Sequence, residues 1–323
     1  MLTIGHLQDM ACKVCDEAAG SKEPRGLYEP IEYMMSIGGK RLRPVMCLMA
    51  YNLWNDSFGP EILGPAVAME MFHEFTLLHD DIMDKSDMRR GVPTVHAKWN
   101  DNTAILSGDT MALEAYEFLA QAPSDKLKDA LSLFTRTAIQ VCEGQQYDMD
   151  FESRGRISMD EYLGMIGLKT AVLLAGSMKM GALIAGASAV QQQALYDYAY
   201  QLGLAFQITD DYLDCYGDEK TFGKKIGGDI MEGKKSWLLV RALEKASGEA
   251  GDALSAAFAV SGRDAKIEAV LNVYKRLNIK KDAEEAIKSY ESKALAALEP
   301  AGLDAAQMAQ LQEFAQKLLK RDK

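Results

Sequence analysis

The chain has 323 residues, of which 48% are hydrophobic, and carries a formal net charge of −11 at pH 7. That is enough apolar material for one large core or two ordinary ones, and the acidic balance excludes the broad positive surfaces that nucleic acids and anionic membranes require. Five scattered cysteines form no disulfide framework, which points to a reducing cytoplasmic location.

The first twenty residues lack a basic leader and carry Asp9 and Asp16 early, unlike a signal peptide, so the mature chain is expected to begin near Met1. Cys12 and Cys15 make a lone CxxC without a second pair or a neighbouring His, and read as an ordinary thiol pair. Pro30, Pro44, Pro60, Pro65, Pro93 and Pro123 are expected where helices start or turn. Ala66, Met69, Met71, Phe72, Phe75, Leu78 and Ile82 recur at helical spacing, and strict alternation is scarce, so the predicted fold is all-α. The apolar stretch from Ala171 to Ala187 contains Lys179 and several glycines and falls short of the roughly 20 residues of a spanning helix. It reads as a buried core helix without membrane insertion. Asp282 to Leu298 and Ala305 to Lys320 are amphipathic packing helices. No flexible linker or internal repeat divides the chain, which predicts one domain over residues 1–323.

Asp80, Asp81 and Asp84 stand in LLHDDIMD, and on a helix the first and last lie about 40° apart in projection. Asp210, Asp211 and Asp214 repeat this DDxxD spacing in FQITDDYLD. Alone, either cluster reads as a solvated acidic face; both together, each flanked by apolar and aromatic residues, call for a compensating cation. Oxygen ligands favour magnesium, and the arrangement of an EF-hand calcium loop is missing. Cations gather separately: Lys40, Arg41 and Arg43 in GGKRLRP, then Arg89 and Arg90, Lys169 beside Thr170, and Lys224, Lys225, Lys234 and Lys235. Arginine forks mixed with lysine point charges suit diphosphate groups.

In order and spacing, GGKRLRP, HEFTLLHDDIMDKSDMRRGVPTVH, GQQYD, LKT, FQITDDYLDCYGD and GKKIGGDIMEGKKSW resemble the trans-isoprenyl diphosphate synthases, or polyprenyl synthetases, from about Ile31 to Trp237. The resemblance implies an all-α isoprenoid-synthase helical bundle with a central active-site cavity, usually a homodimer. It implies that Asp80, Asp84 and Asp210 hold magnesium, three ions with substrate bound, with Asp81, Asp211 and Asp214 as direct or water-mediated partners. Arg89, Lys169, Lys234 and Lys224 would grip the allylic diphosphate, with Lys225 an alternative to Lys224. Lys40, Arg43, His73 and Arg90 match the positions for isopentenyl diphosphate. Thr170 and Gln207 fall where neutral oxygens face a carbocation, and Gln145 and Asp148 belong to the GQxxD motif near the cavity.

The reaction implied is condensation of an allylic diphosphate with isopentenyl diphosphate to a longer trans-prenyl diphosphate, without a side-chain nucleophile. His79 and His96 are expected in structural hydrogen bonds. Phe75, about 7.5 Å before Asp80 along the helix axis, would form the floor of the chain-length cavity. With Thr76 beside it, the resemblance leans towards a geranylgeranyl or farnesyl diphosphate product. A class I terpene cyclase and a non-catalytic subunit of a heteromeric synthase are the alternatives. The second full DDxxD and the GGKRLRP cations argue against the first, and two whole motifs against the second.

Overall fold

The computed structural model describes residues 1–217 and 226–320. Helix α1 (Ile4–Ala18) starts at Thr3, whose side chain accepts from the His6 amide, and α2 (Arg25–Ser36) follows. Helices α3 (Leu42–Asn52) and α4 (Pro60–Met83) come next, then a two-stranded ribbon of β1 (Met88–Arg89) and β2 (Val92–Pro93) and the short α5 (Val95–Lys98). Helices α6 (Asp101–Leu119), α7 (Leu127–Glu152) and α8 (Met159–Ile166) lead into a π-helical turn (Gly167–Ala171), which continues as α9 (Val172–Ile184). After α10 (Ala189–Tyr216) come α11 (Gly228–Glu232), α12 (Trp237–Lys245), α13 (Glu249–Phe258), α14 (Arg263–Arg276), α15 (Ile279–Ala297) and α16 (Ala305–Lys320).

The chain divides into two compact units. The first comprises Met1–Ile139, Leu173–Tyr196 and Pro300–Gln310; the second comprises Gln140–Val172, Asp197–Glu299 and the segment from Leu311. In the first unit α4 packs most extensively on α6. Gly64 allows this approach, because a Cβ there would lie 2.7 Å from the Phe118 carbonyl oxygen. Met69, Phe72, Leu78, Met111 and Phe134 belong to its buried core. In the second unit Tyr162, Leu204, Ile208, Trp237, Leu238, Val270 and Tyr274 form a separate apolar cluster. The Ser158 side chain and Glu161 close a reciprocal capping box that starts α8.

Two sequence expectations need correction. Pro30 and Pro65 lie inside α2 and α4 instead of marking their ends. Each lies past the first four amides of its helix, so each removes one helical hydrogen bond, a loss that the buried packing of both helices absorbs. Pro93, expected where a helix starts or turns, lies in β2 opposite Met88: Arg89 pairs with Val92, and Arg90 and Gly91 turn the corner with φ of 50° and 82°. Positive φ at both corner positions is the signature of a tight two-residue turn. The stretch Met159–Ile184 is long and apolar enough to cross a membrane by length and composition, but 67% of its apolar window is buried inside the protein, as in a core helix. All five cysteines are free thiols, as the sequence suggested for Cys12 and Cys15.

Candidate active site

In the first unit, α4 carries two stripes of polar residues. One is buried: Glu70, Glu74 and Asp81 are 2%, 0% and 3% exposed. Carboxylates so far from water need partners, and each has an arginine. Arg41 Nη1 lies 3.1 Å from Glu70 Oε1 and 3.2 Å from Glu74 Oε1, and its Nη2 donates to the Met35 carbonyl. Arg89 Nε donates to both oxygens of Asp81 at 2.9 and 2.8 Å, with Nη2 at 2.7 Å from Oδ1. The Arg41 backbone is left-handed (φ 45°), which ends the GG segment and starts α3 at Leu42.

The second stripe is the functional candidate. His73 and Asp80 are half-buried and Asp84 is exposed at the C-cap of α4. His73 is pushed well below the usual imidazole range, first by burial and then by Arg43, Arg90, Arg89 and Arg41. It is therefore a neutral ring in a strongly positive surrounding. Arg43 is itself held below its ordinary value by burial and by Arg90, against the pull of Glu70 and Glu74, and its buried Nε has no hydrogen-bond partner. Arg43, Arg90 and His73 are thus brought together, with Lys40 exposed just before α3. A desolvated Arg43 guanidinium and the more exposed Arg90, gathered about a neutral imidazole, suit an anion. Phe75 packs tilted against Phe72 with ring centroids 5.4 Å apart and edge-on against His79 at 4.7 Å, and Phe72 meets Phe134 at 5.6 Å. Thr76 Oγ1 donates to the His73 carbonyl. His79 bonds the Ile105 carbonyl, and His96 bonds Thr94 Oγ1, structural contacts as expected.

In the second unit, Asp210 and Asp214 are half-buried on α10, while Asp211 is 4% exposed. Tyr162 Oη and the Trp237 amide donate to Asp211 Oδ2 at 2.5 and 2.7 Å, and Gln207 Nε2 donates to Oδ1 at 3.1 Å. Burial raises the Asp211 carboxyl, and these donors oppose it. The π-helical turn presents LKT: Lys169 Nζ reaches Asp148 Oδ2 at 2.6 Å, and Thr170 Oγ1 donates to Gln207 Oε1 at 3.0 Å. Helical bulges of this kind concentrate at functional sites. The glycine of GQQYD has a steric role, because a Cβ on Gly144 would lie 2.2 Å from the Lys169 amide nitrogen. Gln145 is half-buried beside it and Lys234 is exposed. Lys224 and Lys225 lie outside the described residues.

Sequence reasoning missed five residues, among them Glu70, which pairs with Arg41. Tyr162 and the Trp237 amide hold Asp211, and Glu74 meets Arg41 and Arg90. Asp229 donates its amide to Asp214 Oδ2 at 3.1 Å, and its carboxyl is pushed up to about 7, by burial first and then by Asp211, with Lys234 opposing. The acid of IGGD between two lysine pairs was the available signal for Asp229. For Glu70 and Glu74 it was a pair of acids four apart in an apolar helix, which must be neutralised when buried. The donor set of both DDxxD motifs is wholly carboxylate oxygen, as a hard divalent cation prefers. Among the described residues no three His, Cys, Asp or Glu side chains form a ready ion cage. Magnesium held by one or two carboxylates, with substrate oxygens and water completing its shell, needs none.

The sequence matches the polyprenyl synthetase family model over residues 24–277. It is 41% identical over 232 residues to a geranylgeranyl diphosphate synthase of Methanosarcina mazei, spanning 71% of each chain. A crystal structure of a geranylgeranyl pyrophosphate synthase superposes with a TM-score of 0.94 at 42% identity, covering 100% of both chains. A geranylgeranyl pyrophosphate synthase from Corynebacterium glutamicum, complexed with isoprenyl diphosphate and magnesium, superposes with a TM-score of 0.85 at 26% identity over 98% of each chain. With the match covering most of its length, this chain belongs to the polyprenyl synthetase family.

Proposed function

We propose that this protein is a prenyltransferase that condenses an allylic diphosphate with isopentenyl diphosphate and releases a trans-prenyl diphosphate five carbons longer. The observation that carries the reading is the group of Arg43, Arg90 and neutral His73 on the same unit as Asp80 and Asp84. A terpene cyclase, which handles one diphosphate, has no use for a second anion site. The relatives named as geranylgeranyl diphosphate synthases favour elongation as well, and point to geranylgeranyl diphosphate as the main product.

Asp80, Asp84 and Asp210 are the proposed magnesium ligands, with Asp81, Asp211 and Asp214 supporting them directly or through water. When bound, magnesium neutralises the departing diphosphate and so promotes cleavage of the allylic carbon–oxygen bond. Arg89, Lys169 and Lys234 grip that diphosphate; Lys40, Arg43, His73 and Arg90 hold the isopentenyl one. The chain from Thr170 through Gln207 to Asp211 fixes the Gln207 amide, so its dipole is set before positive charge develops. The isopentenyl double bond attacks the allylic carbon, and the proton lost in forming the new double bond leaves with the diphosphate. Apolar walls keep water from capturing the cation, and Phe75, packed against Phe72, limits how far the product extends. The two units act as one polyprenyl synthetase domain in a cytoplasmic homodimer. Ile105, Leu106 and Leu113 of α6 and Leu131 and Ile139 of α7 support dimerisation, because all are exposed apolar side chains on one unit.

Incubation with magnesium, isopentenyl diphosphate and dimethylallyl, geranyl or farnesyl diphosphate, then dephosphorylation and mass spectrometry, tests this. Geranylgeraniol is expected; a cyclic hydrocarbon, or no turnover with any primer, overturns it. Sedimentation at the mass of one 35.6 kDa chain would overturn the dimer.

A further inference from the structure

Glu70 and Glu74 are buried acids that the proposed reaction does not use. Both pair with Arg41, but Glu74 alone also meets Arg90: its Oε1 lies 3.7 Å from Arg90 Nη1. The Arg90 side chain is 34% exposed and the Glu74 side chain 0%, so the pair joins a surface cation to an anchor inside the protein. Arg41 holds that anchor, reaching the same Glu74 oxygen at 3.2 Å. Two further constraints act on Arg90. Its backbone is the left-handed corner of the β1–β2 hairpin. Its guanidinium lies against Gly39, where a Cβ would stand 3.0, 3.1 and 3.2 Å from Nη1, Nη2 and Cζ, so the plane of the group faces the glycine.

An arginine at a surface otherwise samples many side-chain conformations, and a ligand that needs one of them must order it. Gly39 gives Arg90 a floor without directing it along that floor; the carboxylate supplies direction. We infer that Glu74 is a positioning residue for the isopentenyl diphosphate site: its carboxylate holds the Arg90 guanidinium in place, so that the incoming diphosphate meets Arg43 and Arg90 as an arranged pair. This rests on the proposed assignment of Arg43 and Arg90 to that substrate. Glu70, one turn back on the same helix and bound to the same Arg41, is the internal control, since it pairs with Arg41 and not with Arg90.

The test is steady-state kinetics on Glu74→Gln, Glu70→Gln and Arg90→Ala with each substrate varied in turn, alongside thermal unfolding. Glu74→Gln should raise KM for isopentenyl diphosphate about tenfold, the scale of one lost charge-assisted contact, with kcat and the allylic KM within about twofold; Glu70→Gln should leave all three within about twofold. Glu74→Asp, which keeps the charge at shorter reach, should show the same split at smaller amplitude, and it serves if the glutamine variant does not fold. An unchanged or lowered KM in Glu74→Gln overturns the inference. So does a change in both substrates together, or the same effect from Glu70→Gln, since either marks a purely structural network. If Arg90→Ala leaves KM for isopentenyl diphosphate unchanged, the site assignment fails and the inference falls with it. If Arg90→Ala raises that KM and Glu74→Gln does not, only the role of Glu74 is lost.

Discussion

The two DDxxD motifs have the same spacing and house their middle aspartates in opposite ways. Asp81 is balanced by a full charge, with Arg89 donating to both carboxylate oxygens. Asp211 takes hydrogen bonds from three neutral donors, the Tyr162 hydroxyl, the Trp237 amide and the Gln207 side chain, with the Lys234 charge adding to them. In both, burial raises the carboxyl and the partners pull it back. The difference teaches that DDxxD is two devices in one string. The outer aspartates are one turn apart and turned to the less buried side, whereas the middle one is an internal fastening whose partner the surrounding fold chooses.

Substitutions can break this comparison. Asp80→Ala and Asp210→Ala, which strike the outer positions, should each lower kcat by about 10³-fold, the scale of one lost group that stabilises developing charge. Unchanged turnover in either would remove that motif from the chemistry. Asp81→Asn should behave differently, leaving Arg89 without its counter-charge and costing about 3 kcal/mol in denaturant unfolding. Tyr162→Phe removes one of three donors to Asp211 and should cost only about 1 kcal/mol; a loss as large as that of Asp81→Asn would erase the distinction between charged and neutral fastening. A different handle on the second motif is the pH dependence that Asp229 adds to it. Its folded carboxyl is raised to about 7 from 3.8. The folded state therefore keeps a proton that the unfolded chain releases, and this contribution to stability is present below about pH 4 and lost as pH rises to about 7. Melting temperatures of the metal-free protein should show that decline, and Asp229→Asn should flatten it.

Much of the candidate site could be proposed from the sequence because the chemistry of its motifs is local. DDxxD, GGKRLRP and LKT each put reactive groups within a few residues, and helical spacing alone predicts the shared face of Asp80 and Asp84. What escaped depends on residues brought together from distant segments. Nothing in GGKRLRP says that Arg41 turns inward to Glu70 and Glu74 while Arg43 joins Arg90 and His73; a left-handed backbone at Arg41 decides it. Tyr162 lies 49 positions before Asp211, and no spacing rule spans that distance. Gly144 looked like part of a signature, and its reason is a clearance too small for a methyl group. Pro30 and Pro65 misled because a proline removes one helical hydrogen bond without ending a helix that tertiary packing holds.

The π-helical turn at Gly167–Ala171 sets the phase of its segment. Tyr162 and Thr170 are eight positions apart, which in an unbroken α-helix would leave them about 80° apart around the axis. Yet Tyr162 reaches Asp211 and Thr170 reaches Gln207, two residues one turn apart on α10. The wider turn takes up an extra residue and closes much of that angle. Length here is therefore as binding as identity: removing any one residue between 167 and 171, however dispensable its side chain, would swing Lys169 and Thr170 away from Asp148 and Gln207 together.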